Sequence, residues 1–490
     1  MLLRGYFSPT LSTDDMFENV FVQQLRLGYQ VRQPPLYEWM LFGFQKIFGP
    51  TIWSFLTLKY LLLLCFALFI YGVARQAIND SKLTALAVYS YVALYQIGFN
   101  LHEGVTHTAV LLAASAATVY FFLRFLKNGT LGTAIFLGIT VGLGMLSKHS
   151  YVLVPASVFL AALSDGYWRA RLRFPLLIVA GVVAAAVYSP YIYWVISGEQ
   201  PLIGSAYCDA RWRAGDWLRQ ILTGELRLLL SVLGFSVPFL PVVLLAFFPS
   251  LYRGEKREVI DPVTQAAGRL LQRALFFALG LAFIGVVLSG AQYIKERHMY
   301  PVLLLLPIVM FYQISLRRYS TRSVVVYSSV LALLVAVVFG VRIAGFLAPD
   351  KNMCGGYCRH MKPFYKLGEQ LKAQFPETER ATIISLDEYT GGNLRVSLPE
   401  ARHIIHSFRP NTARRQDCFI VWDMGDNGAQ RSLLEALASA GFHLDEAPAP
   451  DKILALRQID ASWPHLWKED SFRTTTFGVA KVEGDSDICR

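Results

Sequence analysis

Zinc-finger spacings and RNA-binding signatures are absent from the 490 residues, so a net charge of +11 has no nucleic-acid motif to serve. Charged residues make up only 17% of the chain, and the basic ones sit mostly in short connecting segments. That pattern orients a bilayer protein. Missing too are the short, periodic apolar stretches in which a soluble enzyme hides its core. The 54% of hydrophobic residues, with a mean hydropathy of +0.40, lie instead in long runs such as Tyr60–Ala74 and Val324–Val341. Runs near the ~20 residues that cross ~30 Å of hydrocarbon are read as spanning helices.

Ten candidate spans follow: Ile52–Ala74, Leu83–Phe99, Thr106–Leu126, Leu131–Ser147, Tyr151–Leu163, Phe174–Ile196, Leu228–Phe248, Leu271–Leu288, Met299–Ile314 and Val324–Phe346. After Leu347 the chain turns polar and alternates strand-like and helix-like pieces, with buried strands expected at Thr382–Leu386 and Phe419–Trp422 and a helix at Arg431–Gly441. The expected architecture is an all-α polytopic membrane domain (52–346) preceded by an N-terminal loop segment (1–51) and followed by an α/β domain (347–490). One set of loops is rich in Arg and Lys, including Arg169, Arg171, Arg173, Arg317, Arg318 and Arg322; the alternate set is poorer. The positive-inside rule makes the rich set cytoplasmic and places both the N-terminal segment and the C-terminal domain outside.

Cys354 and Cys358, with three residues between them on that outer side, predict a local disulfide, with half of a metal site or free thiols as alternatives; no second ligand pair stands nearby. The start of the chain carries Asp14, Asp15 and Glu18, then Arg32-Gln-Pro-Pro-Leu-Tyr37. Adjacent carboxylates are costly to desolvate together unless a cation or metal balances them, and one of them can take a proton from an acceptor hydroxyl. The plain alternative is a helix start, with Ser12 or Thr13 as N-cap and the acids facing the dipole. The double proline stiffens the chain and holds Arg32 where a lipid phosphate lies. Lys148, Lys295 and Arg297 are exceptions to the basic-inside pattern, either phosphate ligands or residues reaching for headgroups, and His149 and His298 neighbour them. His102, Glu103 and His107 form another outer cluster; Glu103 and His107, four apart, would share a helix face and bind metal or acceptor, or simply form a polar helix entry. In Asp387-Glu-Tyr-Thr-Gly-Gly-Asn393 a Gly-Gly turn after a strand either serves the fold or touches a saccharide.

The outer Asp14-Asp15 with the later basic-x-Pro-Pro-Leu-Tyr-x-Trp resembles the bacterial multi-span glycosyltransferases related to dolichyl-phosphate-mannose protein mannosyltransferases, a group that includes the lipid A aminoarabinose transferase. Gly142-Leu-Gly-Met-Leu-Ser-Lys-His149 and Lys295-Glu-Arg-His-Met-Tyr-Pro301 resemble two further segments of that group, and the branch of rhizobial lipopolysaccharide core galacturonosyltransferases is the most similar. The resemblance implies the C-type glycosyltransferase fold, a bacterial inner-membrane location with a periplasmic active site and C-terminal domain, and transfer, normally inverting, from a polyprenyl-phosphate sugar to lipopolysaccharide or another envelope glycolipid. No nucleic acid is an expected partner. The resemblance also implies a catalytic role for Asp14 or Asp15 and donor-phosphate binding by Arg32, Lys148, Lys295 and Arg297; beside it, the residues themselves make His298 a further phosphate candidate and Glu18, His102, Glu103 and His107 candidates for substrate or a possible divalent metal ion. The family's first spanning helix is expected to be missing, because Met1–Thr13 is too short to cross. The rival reading is a glycolipid transporter or flippase, which should show paired repeats with broken helices; none is visible.

Overall fold

The computed structural model describes residues 1–8, 10–104, 106–198, 217–255, 261–349, 358–426, 432–442, 447–465, 467 and 473–490. They divide into two compact units: Arg26–Tyr37 with Leu61–Val338, and Met1–Leu25 with Glu38–Tyr60 and Phe339–Arg490.

The first unit is helical. Among the described residues, five helices are long and apolar enough to cross a membrane: Ile52–Ala77, His107–Asn128, Phe174–Ser197, Pro262–Ser289 and Thr321–Leu347. Leu131–Met145, His149–Ser164, Phe239–Tyr252 and Leu306–Ser315 are shorter apolar helices. Helix His107–Asn128 buries most of its apolar stretch, whereas Phe174–Ser197 leaves most of its own exposed, as a lipid-facing helix must. Gly138 and Gly142 seat helix Leu131–Met145 closely on Phe174–Ser197: a Cβ on Gly138 would come within 2.5 Å of the Ala180 carbonyl, and one on Gly142 within 2.6 Å of Val187 Cβ.

Two predicted spans are interrupted. In place of one helix over Leu83–Phe99 there is a helix at Ser81–Tyr89, a 3₁₀ turn at Ser90–Ala93 and a π turn at Gln96–Asn100. Ser90 sits at the break, its hydroxyl donating back to the Leu86 carbonyl, a side-chain bond that loosens helical order. In place of Leu228–Phe248, helices Trp217–Ser236 and Phe239–Arg253 flank Pro238, which has no N–H to continue the ladder. The Met299–Ile314 span is helical only from Leu306, where Pro307 occupies the first turn.

The second unit contains a five-stranded sheet, β1 (Thr382–Ser385), β2 (Arg402–Ile404), β3 (Asp417–Asp426), β4 (Ile453–Ser462) and β5 (Thr474–Glu483), in the order β2-β1-β3-β5-β4. Strands β2, β1 and β3 run parallel, and β5 is antiparallel to both β3 and β4. Side chains alternate across it: Ile383, Phe419 and Val421 join Phe364, Leu367 and Leu371 on one face, while Ile384, Ile420 and Trp422 join Leu437 on the other. Burial on both faces explains why β1 and β3 read as short continuous apolar runs. A disulfide joins Cys418 to Cys489 across 71 residues, a pairing the spacing did not suggest. Cys358 is disulfide-bonded; the partner expected for it, Cys354, lies outside the described residues.

The N-terminal segment is divided: Met1–Leu25 and the residues from Glu38 on belong to this second unit, whereas Arg26–Tyr37, with Arg32, belongs to the helical one. Helix Thr13–Phe21 packs on helix Glu388–Ser397.

Candidate active site

Ser12 is extended and precedes helix Thr13–Phe21, but its hydroxyl does not cap that helix; it accepts from Arg4 Nη2 at 2.8 Å. The acids of the first turn then diverge, because successive helical residues point ~100° apart. Asp14 is exposed, while Asp15 is only 5% exposed and pairs its Oδ1 with Lys59 Nζ at 3.8 Å. Lys59 is equally buried, in the second turn of helix Ile52–Ala77. Charge balance at Asp15 thus comes from Lys59, so the adjacency of the two carboxylates does not by itself call for a metal ion.

One turn further on, Glu18 is buried and meets Glu38 of helix Leu36–Phe48, which is fully buried. Burial, then the charge of Glu18, raises the Glu38 carboxyl well above its ordinary range. Asn19, at the next position, accepts at Oδ1 from Gln45 Nε2 at 2.8 Å and from Arg395 Nη1 at 3.0 Å.

The basic candidates are a separate assembly within the helical unit. The stretch leading into Pro34-Pro35 is fastened at Val31, whose carbonyl accepts from Tyr191 Oη at 3.0 Å and His149 Nε2 at 2.9 Å. Leu36 N donates to the Leu146 carbonyl at 3.1 Å, tying the proline segment to the end of the Gly142–Met145 motif. Arg32 stays exposed between these fixed points. Lys148 is extended, and its Nζ donates to Thr108 Oγ1 at 2.8 Å. The Lys295–His298 segment is a tight 3₁₀ turn in which Lys295 N donates to His298 Nδ1 at 3.3 Å, Lys295 Nζ lies 4.8 Å above the Tyr293 ring, and Arg297 Nη2 donates to Tyr293 Oη at 3.4 Å.

His298 reports how these cations converge. Its ring keeps an exposed edge, yet crowding by the surrounding protein, then the charges of Arg297, Lys148, Lys295 and Arg32, lower its pKa to about 4. Three stretches of sequence more than a hundred residues apart therefore bring their positive charges to one imidazole. Such a cluster is poised for an anion rather than for a cation.

Other candidates behave differently. Helix Leu101–Gly104 ends and a new helix starts at His107, so Glu103 and His107 do not share one helix face; Gly104 and β-branched Thr106 are poor at continuing a helix. His102 is half-buried, the side chain of Glu103 lies outside the described residues, and His107 is buried with its ring 5.7 Å from that of Tyr37. Gly391-Gly392 is not a turn at a strand end: both glycines are buried inside helix Glu388–Ser397, whose N-cap Asp387 accepts from Thr390 N at 2.7 Å. Lys59, Glu38, Gln45 and Arg395 were not singled out from the sequence. A lysine inside a predicted span was the available signal for the first, since a charge there demands a partner; Arg395 carried none.

Residues 32–194 match the sequence profile of the dolichyl-phosphate-mannose-protein mannosyltransferase family. Two proteins of Rhizobium johnstonii, the lipopolysaccharide core galacturonosyltransferases RgtA and RgtB, are 28% and 27% identical to this chain over 83% and 86% of it, and 80% and 84% of their own lengths are covered. The crystal structure of ArnT from Cupriavidus metallidurans bound to undecaprenyl phosphate matches with a TM-score of 0.56 at 14% identity, over 98% of this chain and 95% of that one. The fold is thus shared with ArnT along nearly the whole length, and the sequence is similar to the dolichyl-phosphate-mannose-protein mannosyltransferase family over the segment that carries the Arg32 and Lys148 motifs and to the two galacturonosyltransferases over most of the chain.

Proposed function

We propose that this membrane glycosyltransferase moves a sugar from a polyprenyl-phosphate donor to a lipopolysaccharide or other envelope glycolipid on the periplasmic side of the bacterial inner membrane. The observation that carries the reading is the convergence of Arg32, Lys148, Lys295 and Arg297 on His298. In the step, the acceptor hydroxyl oxygen bonds to the anomeric carbon as the bond from that carbon to the phosphate oxygen breaks. The electron pair leaves on the phosphate, where the cation cluster stabilises the added charge. The hydroxyl proton passes to a carboxylate, and Asp14 is the member of the adjacent pair suited to that role: it is exposed, whereas Asp15 is committed to Lys59. Inversion at the anomeric carbon follows from a single displacement.

The activity named for RgtA and RgtB makes galacturonic acid and a lipopolysaccharide core the substrates to test first. Mass spectrometry of surface glycolipids from cells with and without the protein is the experiment. Loss of a hexuronate from the core supports the reading, loss of a pentose or hexose moves the sugar assignment, and unchanged glycolipids contradict it.

A further inference from the structure

The helix that carries Asp14 is held by the C-terminal domain through contacts that sequence distance hides. Before the helix, Thr10 Oγ1 donates to the Lys362 carbonyl at 2.6 Å and Leu11 N to Asn393 Oδ1 at 2.6 Å. After it, Gln23 and His403 exchange two bonds of 2.9 Å, Nε2 to carbonyl and backbone N to Oε1. At its centre, Gly392 lies against its backbone: a Cβ there would come within 2.2 Å of the Met16 carbonyl oxygen and 2.6 Å of Met16 Cα. Backbone offers no flexible side chain to move aside, so only glycine permits that approach. Asn19 Nδ2 donates to the Gly392 carbonyl at 2.7 Å. Arg395, one turn along and 7% exposed, donates to the Asn19 carbonyl, to Asn19 Oδ1 at 3.0 Å and to Gln45 Oε1 at 2.8 Å.

A guanidinium buried so that it satisfies two side chains and one carbonyl in the last turn of a helix is an expensive way to join two elements unless their registration matters. We propose that Arg395 and Gly392 are positioning residues for glycosyl transfer: they fix the height and rotation of helix Thr13–Phe21, and with it the direction in which Asp14 presents its carboxylate. The C-terminal domain is thereby part of the catalytic apparatus without touching substrate. This inference rests on the reading of Asp14 as the base.

The test is a double-mutant cycle on the purified full-length protein, with transfer from a polyprenyl-phosphate sugar as readout. Arg395→Met keeps length and removes the donors; it should lower kcat about 10–10²-fold with the donor KM unchanged, as misplacement of a reacting group does. Arg395→Lys, which keeps one donor, should recover part of the loss. In an Asp14→Asn background the same Arg395→Met change should cost almost nothing, because the carboxylate it positions is gone. Equal losses in both backgrounds, or a wild-type kcat for Arg395→Met, would overturn the inference. Should Arg395→Met not fold, Gly392→Ala carries the same cycle by pushing on Met16, with hydrogen exchange of residues 13–21 rising while that of strand β3 holds. Full activity of Asp14→Asn alone would instead remove the reading of Asp14 on which the inference stands.

Discussion

The helix bearing Asp14 is gripped before, along and after its length by buried hydrogen bonds, and its second carboxylate is neutralised by Lys59. The cations around His298 are arranged the other way: their backbones are fastened, at Val31 and in the Lys295–His298 turn, but Arg32, Lys295 and Arg297 are exposed and carry like charge. The first region has its charges balanced internally and presents one carboxylate. The second gathers Arg32, Lys148, Lys295 and Arg297 around one imidazole, an arrangement that favours an incoming anion. In the proposed reaction a general base needs fixed geometry and a leaving group that gains charge needs positive potential, and the two constructions suit those two demands.

That contrast can be broken in several ways. Lys59→Met should have the largest effect, about 3–5 kcal/mol of lost stability, because Asp15 would remain buried without its cation. Thermal unfolding in detergent measures it, and combining Lys59→Met with Asp15→Leu should restore most of the loss. In the cation cluster the same kind of removal should leave stability intact and act on binding instead. Arg32→Ala and Arg297→Ala should each weaken undecaprenyl phosphate binding roughly tenfold or more, a loss that shrinks as salt is added. If either variant loses several kcal/mol of stability, or binds undecaprenyl phosphate as tightly as the wild type, the two regions are not built as described.

A smaller effect sharpens the comparison through pH. His298 is neutral in the free protein down to about pH 4, and a bound phosphate raises its pKa, so binding takes up a proton. Affinity for undecaprenyl phosphate should therefore gain more in the wild type than in His298→Asn as pH falls from 7 toward 4. Parallel pH profiles would separate His298 from the phosphate. The smallest effect belongs to Glu38. Its folded-state pKa is raised above its ordinary value, so its contribution is favourable below the usual carboxylate range and is lost as pH rises through the raised value. Glu38→Gln should unfold at the same temperature as wild type near pH 4 and at a higher one near pH 8.

Both charged regions were legible as composition, and only one as architecture. The cations stood out because Lys148, Lys295 and Arg297 break the loop charge pattern, a signal that survives without coordinates. Asp14 and Asp15 read as equivalents, because their divergence depends on Lys59, forty-four residues on from Asp15, and on how a helix turns. The long spans were visible from hydropathy, but an average over a window does not register one Ser90 hydroxyl or one Pro238 inside an apolar run. Gly391-Gly392 read as a turn from intrinsic propensity; packing against Met16 makes a helix there the better use of two residues without side chains. The Cys418–Cys489 bridge spans 71 residues, a distance over which spacing says nothing about partners.

The most direct test of the account is the turnover of Asp14→Asn set beside its binding of undecaprenyl phosphate, both measured on the same purified sample. The account predicts transfer slowed by ~10²-fold or more with phosphate binding unchanged, because the carboxylate serves the acceptor and the cations serve the donor. Transfer at the wild-type rate by Asp14→Asn would contradict it.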